Sequence, residues 1–167
     1  MPTLIRWRGA SAEDVVDGFT HVADDADVPS GDLIVSLSRF QRDGERLLAE
    51  VRRVGVRVAA GEAVEALAYD LPRLALVALE FPRFKDGRAY SAAMILRSRL
   101  GWAGEVRAVG DVLREQAGFL VRAGFDAFEP ADSSRAADWN HVARRFRHVY
   151  QRAADTRPPA FAERRAA

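Results

Sequence analysis

From Leu74 to Leu79 the chain reads LALVAL, six apolar residues with no polar interruption. A strand with one wet face alternates apolar and polar residues, whereas an unbroken apolar strand suits a parallel sheet covered on both faces. A parallel sheet needs crossover helices, and the residues that follow supply them. Residues 88–100 put Ala92, Ala93, Leu96 and Leu100 on one helical face, with Arg97 and Arg99 outward and Gly101 as the stop. Glu105–Val109 reads as the next strand. Asp111 reads as the N-cap of a helix over 112–123 that faces the sheet through Leu113, Ala117, Leu120 and Val121. Gly124 ends that helix, and Phe125–Phe128 is a further strand.

The same alternation extends upstream. Leu33–Ser38 is a β-rich run, and residues 43–54 place Leu47, Leu48, Val51 and Val54 at helical spacing with Gly55 as the C-terminal stop. Val56–Ala59 reads as a strand and Glu62–Tyr69 as a short helix that ends before Pro72. Residues 1–31 are a weakly patterned lead-in, in which Leu4–Trp7 suits a short edge strand and HVADDADVPSGD is an acidic connection. Residues 134–149 form a last helix with Trp139, Val142, Phe146 and Val149 as its stripe, and Arg144, Arg145 and Arg147 as a solvated or partner-facing basic face. These elements predict a single α/β domain over 1–151, with a mostly parallel five-stranded sheet built from βα units. An open sandwich and an incomplete βα barrel both satisfy the pattern. Residues 152–167, with Pro158-Pro159, read as a flexible or partner-bound tail.

Composition removes several functions. Basic and acidic residues balance at 25 against 24, which gives no electrostatic case for nucleic acid. Cysteine is absent, so thiolate nucleophiles, disulfides, persulfide carriers and cysteine-ligated clusters are excluded. His21, His141 and His148 show no metal-binding spacing, and no metal site is expected. Loops of the GxGxxG and GxxxxGK[ST] types and a GxSxG elbow are missing. Flavin binding has no obligatory short motif, so no cofactor is predicted and flavin stays open. No apolar run reaches the roughly 20 residues that span a bilayer, and MPTLIRWRGASAEDVV lacks the apolar core of a signal peptide. A cytoplasmic protein without membrane contact is the expectation.

In an open α/β sheet, ligands bind beyond the carboxyl ends of the strands. The loop EFPRFKDGRAYS lies at such an end and holds Lys85, the one lysine among the 25 basic residues. Arg83, Lys85 and Arg88 supply positive charge there, and Tyr90 and Ser91 supply hydroxyls. Asp86-Gly87 makes a sharp turn, Gly87 permits close approach, and Arg88 opens a helix whose free N–H groups favour an anion. These seven residues form the candidate anion site. Glu80, Asp111, Arg39 and Glu129, each after a strand, are the candidate orienting groups at the same sheet edge. Two carboxylates from neighbouring strands could also share acid–base work.

The motifs F-x-D-G-R-x-Y-S (Phe84–Ser91) and G-E-x-R-A-x-G-D-V-L (Gly104–Leu113) resemble a bacterial family of unknown function linked to assimilatory sulfite reduction. The resemblance runs from about Asp32 to Phe146. Its members are labelled as oxidoreductases involved in sulfite reduction, and their genes tend to lie beside those of sulfite/nitrite reductase. The resemblance implies a pathway more firmly than a reaction, and transfers no catalytic residue. Six-electron reduction of sulfite needs redox centres, which a chain without cysteine cannot hold as an ordinary cluster. The expectation is therefore an accessory protein that services the reductase and handles a small oxyanion. The alternatives are a small oxidoreductase-type enzyme acting on an anionic sulfur compound or with a flavin, and a non-catalytic homodimeric scaffold.

Overall fold

A computed structural model describes residues 3–166. Its strands are β1 (Thr3–Arg8), β2 (Ser11–Val16), β3 (Phe19–His21), β4 (Asp32–Ser36), β5 (Val54–Val58), β6 (Leu76–Phe81), β7 (Glu105–Gly110) and β8 (Ala127–Phe128). The helices are α1 (Leu37–Leu48), α2 (Arg88–Met94), α3 (Ala117–Ala123), α4 (Ala136–Ala143) and α5 (Ala160–Ala166). All eight strands belong to one sheet, in the order β2-β1-β8-β7-β6-β5-β4-β3. Strands β3 to β8 are parallel and each lies beside the next in sequence, while β1 runs antiparallel to both β2 and β8.

Sequential parallel strands joined by crossovers of one hand send their helices to one face of the sheet. The sheet accordingly curls into a half-barrel. Its convex face carries the main core: Leu33, Val35, Val56, Val77, Leu79 and Phe81 pack with Phe40, Leu47, Ala93, Leu96, Leu120 and Trp139 from the helices. The alternate residues Ile34, Leu76, Ala78 and Val109 form a small separate cluster on the concave face, capped by Phe19. LALVAL is thus apolar throughout because both of its faces are covered, by helices on one side and by the curl of the sheet on the other.

The five-stranded expectation is corrected to eight strands in a curled sheet. The additional strands lie in the lead-in: β2 forms a hairpin with β1, β3 pairs with β4, and only the pairing of β1 with β8 is distant in sequence. Leu4–Trp7 falls in β1, which is interior to the sheet and not at its edge. The helix expected over 43–54 begins six residues earlier. Ser36 ends β4 and at once caps α1, its Oγ accepting from the Arg39 N–H at 3.0 Å. Val51 is then fully exposed, and Val54 and Gly55 belong to β5. Gly55 is no helix stop: a Cβ there would lie 2.7 Å from Leu76 Cδ1, so the glycine makes room on the concave face.

Residues expected as the helix 62–69 form one 3₁₀ turn, Val64–Leu67, and a second, Leu71–Arg73, follows beyond the expected helix end; together they bury Val64, Leu67 and Leu71. The helix over 88–100 divides into α2 and a π turn, Ile95–Arg99. Arg97 is not outward. It donates to the carbonyls of Gly124 (2.9 Å), Trp102 (2.8 Å) and Gly104 (2.7 Å) and pairs with Asp126. The last helix stops at Ala143, with Trp139 stacked on Phe128 at a centroid distance of 4.5 Å. Val149 is buried against the following chain, where it bridges Pro159, whereas Phe146 is exposed. Among the described residues no helix is long and apolar enough to cross a membrane.

Candidate functional site

The ends of β6 and β7 are locked together. Gly110 adopts φ 92°, and the Asp111 N–H donates to the Phe81 carbonyl at 2.8 Å. A side chain at Gly110 would collide with that carbonyl, so a glycine is required on both counts. Asp111 does not cap its own helix, because a 3₁₀ turn (Arg114–Gln116) precedes α3 and the Gln116 Oε1 accepts the Leu113 N–H. The Asp111 carboxylate instead accepts the Phe84 N–H at 2.7 Å, across 27 residues of sequence. Gln116 Nε2 reaches the Phe84 carbonyl (3.5 Å) and the Tyr90 hydroxyl (3.4 Å). Tyr90 packs edge-on against Phe81 and Phe125, and burial pushes its phenol above its ordinary pKa.

Next to this clasp, Arg88 grips Asp86. Its Nε lies 3.0 Å from Oδ1 and its Nη2 2.6 Å from Oδ2, and the Arg88 backbone N–H also donates to Oδ1. The side-chain bonds from Arg88 hold the Asp86 carboxyl down at about 2. The amide that opens α2 is therefore already satisfied by an internal anion. Gly87 has right-handed backbone angles (φ −88°, ψ 0°), and a Cβ added there would meet nothing within 4 Å, so nothing in the fold demands its small size. Arg83 and Lys85 are exposed and have no ion-pair partner among the described residues.

A cleft of about 200 Å³ adjoins the loop, lined by Gly61, Glu62, Glu80, Arg88 and Ser91. The Arg88 guanidinium leans over Gly61, where an added Cβ would lie 2.9 Å from Nη1. Glu80 faces Arg57 at 3.8 Å. Arg88 and Ser91 thus share the cleft, with Asp86 bound to Arg88 and Asp111 holding the loop through the Phe84 N–H, while the Glu80 side chain turns to Arg57. Arg39 and Glu129 do not join them. Arg39 is buried beneath the acidic connection and donates to the carbonyls of Ala23 and Ala26, and its Nε has no hydrogen-bond partner.

Glu129 belongs to a second ionic centre, inside the curve of the sheet. Arg107, wholly buried, projects from β7 on the concave face; its Nη1 lies 2.7 Å from Asp17 and 2.9 Å from Glu129, and its Nε 2.9 Å from Glu105. Nη2 is 2.8 Å from Glu105 Oε1 but out of line for a hydrogen bond, and it has no other partner. Phe19 covers the guanidinium at 5.5 Å, and Arg6 bonds the outer oxygen of Glu105 at 2.9 Å. His21 Nε2 meets Glu129 at 3.0 Å, so β3 reaches across the concave face to the end of β8. Burial raises the Glu129 carboxyl, but the hydrogen bonds and charges of His21 and Arg107 outweigh it and leave it below its ordinary value.

Sequence reasoning missed Arg107, Glu105, Asp17 and His21 as a group. The available signal was Glu105-x-Arg107: two charges with period 2 in an otherwise apolar parallel strand, hence on one face. Asp17 and His21 carried no such signal, since their role depends on the path of the lead-in. No group of three or more His, Asp or Glu side chains suited to a metal ion occurs among the described residues.

Residues 55–161 match the model of a family described as a bacterial protein of unknown function (DUF934). No curated protein matches the sequence.

Proposed function

The chain belongs to this bacterial family of unknown function, and we propose that it serves assimilatory sulfite reduction as an accessory to the sulfite/nitrite reductase, holding a small oxyanion beside the ends of β6 and β7. The observation that carries this reading is the Phe84–Asp111 clasp. It joins the two motifs on which the resemblance rests, Phe84–Ser91 and Gly104–Leu113, into one sheet edge. Asp86 marks how the anion would be held, since its two oxygens already take a guanidinium fork and a backbone amide. An oxyanion displacing that carboxylate inherits both donors, with Ser91 in the same cleft and Arg83 and Lys85 adding positive charge from the preceding loop. An exposed pair exchanges partners readily, because solvent offsets most of the loss.

Thermal unfolding of the purified protein with sulfite, sulfate, phosphate or flavin mononucleotide tests the reading. A ligand at 100 times its Kd stabilises by about 2.7 kcal/mol. The expected result is a rise in Tm with an oxyanion that Arg88→Ala abolishes, together with co-purification of the reductase. No rise with any anion, and unchanged growth of the Arg88→Ala strain on sulfate, would sink the oxyanion site. A retained chromophore or sulfite-dependent turnover would replace the accessory role with an enzymatic one.

A further inference from the structure

On the helix-covered side, α3, α4 and the chain beyond α4 enclose a groove of about 630 Å³. Its floor includes Val142, Ala143 and Val149. At its rim Phe119, Phe146 and Tyr150 are 67%, 66% and 90% exposed, in a chain whose other aromatic side chains mostly enter the core. The rim is held in place by hydrogen bonds. Arg157 Nη2 donates to the carbonyls of Phe146 and Arg147, both at 2.7 Å, and Arg122 binds Asp155 and the Gln151 carbonyl. Those bonds fix the turn after α4 with Phe146 pointing out.

The charge of the segment that follows α4 along the groove is one-sided. Residues 144–157 contain five arginines against one carboxylate, Asp155, which Arg122 already occupies. Arg145, Arg147 and Arg152 have no carboxylate partner among the described residues, although the whole chain is nearly neutral at +1. Exposed aromatics beside unpaired guanidiniums are the residue types that concentrate binding energy in protein interfaces. We propose that this groove docks an acidic amphipathic segment of a partner protein: an apolar anchor enters between Phe119, Phe146 and Tyr150, and carboxylates meet Arg145 in its wall, with Arg147 and Arg152 adding charge from the same segment.

A second copy of the chain fits less well. Its most acid-rich segment, Ala23–Asp32, has its flanking Val22 and its own Val28 turned into the core, so it offers no anchor. A nucleic acid fits less well too. The groove is largely apolar, and Glu115 at its wall and Asp155 and Glu163 nearby interrupt the continuous basic track that a phosphate backbone requires. None of residues 83–91 lines the groove, so this proposal and the oxyanion site stand or fall separately.

The test titrates the full chain into a fluorescein-labelled peptide with glutamates on one helical face and leucine and phenylalanine at i and i+4 on the other. Saturable, salt-sensitive binding is expected, weakened by about tenfold or more in Phe146→Ser and in Arg145→Glu/Arg147→Glu. Both sites are exposed, and Tyr150→Ser repeats the test at a still more exposed position. Equal binding of peptides with lysine for glutamate or serine for the apolar anchors would overturn the proposal. So would variants that bind like wild type, displacement by a single-stranded oligonucleotide at lower concentration than by unlabelled peptide, or a wild-type dimer in sedimentation that Phe146→Ser dissociates.

Discussion

Arg88 and Arg107 are both bound to carboxylates, in opposite settings. Arg88 meets Asp86 two residues away, at the surface. Arg107 meets Asp17, Glu105 and Glu129 with no exposure to water, and Asp17 is ninety positions away in sequence. The local pair shapes one loop. The distant cluster ties the first residues of the chain to the middle of the sheet. An arginine–carboxylate contact therefore has a meaning set by solvent and sequence separation, and chemical identity alone does not supply it.

The largest effect should come from breaking the buried cluster. Arg107→Ala removes the cation that three carboxylates share, leaving Arg6 on Glu105, His21 on Glu129 and, among the described residues, no replacement for Asp17, and should cost about 3–5 kcal/mol in urea denaturation. A smaller cost than that of an ordinary core truncation would mean that water takes over the role of the guanidinium. The truncation for comparison is Leu96→Ala on the convex face, wholly buried, with an expected loss of about 2–5 kcal/mol that does not depend on pH.

The third test probes the buried centre by acid. Because the folded Glu129 carboxyl lies below its ordinary value of 4.5, its stabilisation is complete above about pH 4.5 and is lost as the pH falls through the folded pKa. Tm should decline on acidification over that window, and Glu129→Gln should flatten part of the decline while lowering Tm at neutral pH. An unaltered acid limb in Glu129→Gln would remove the carboxylate from the account. The smallest effect belongs to Arg88→Ala, which should leave Tm without ligand unchanged and remove only the oxyanion-dependent rise. A large drop in Tm would make the loop structural.

The sequence made the middle of the sheet legible. Leu76–Phe81 and Glu105–Gly110 are long, largely apolar apart from Glu80, Glu105 and Arg107, and bounded by turn residues, so their strand character is local. The Gly124 stop is equally local, its φ of 101° ending α3 in the left-handed region. The misphased helix over 43–54 had another cause. Val51 and Val54 continued an apolar spacing that the fold does not use, while the start signal at Ser36 sat inside what reads as a strand. At the site, the residues of the Phe84–Ser91 loop could be chosen from charge and turn chemistry. The clasp with Asp111 and the partners of Arg107 could not, because each depends on strands brought together across many residues.

The pairing of β1 has a consequence for how the protein is made. Ile5 lies opposite Phe128 and Arg6 opposite Ala127. At ribosomal rates of about 5–20 residues per second, the nascent chain carries β1 on the order of ten seconds before its neighbour β8 exists. During that interval β1 has only β2 beside it, and a two-stranded ribbon is marginal in water. Asp17 meanwhile waits for Arg107. The nascent chain thus carries β1 and β2 unshielded, and the final assembly of the half-barrel waits for β8.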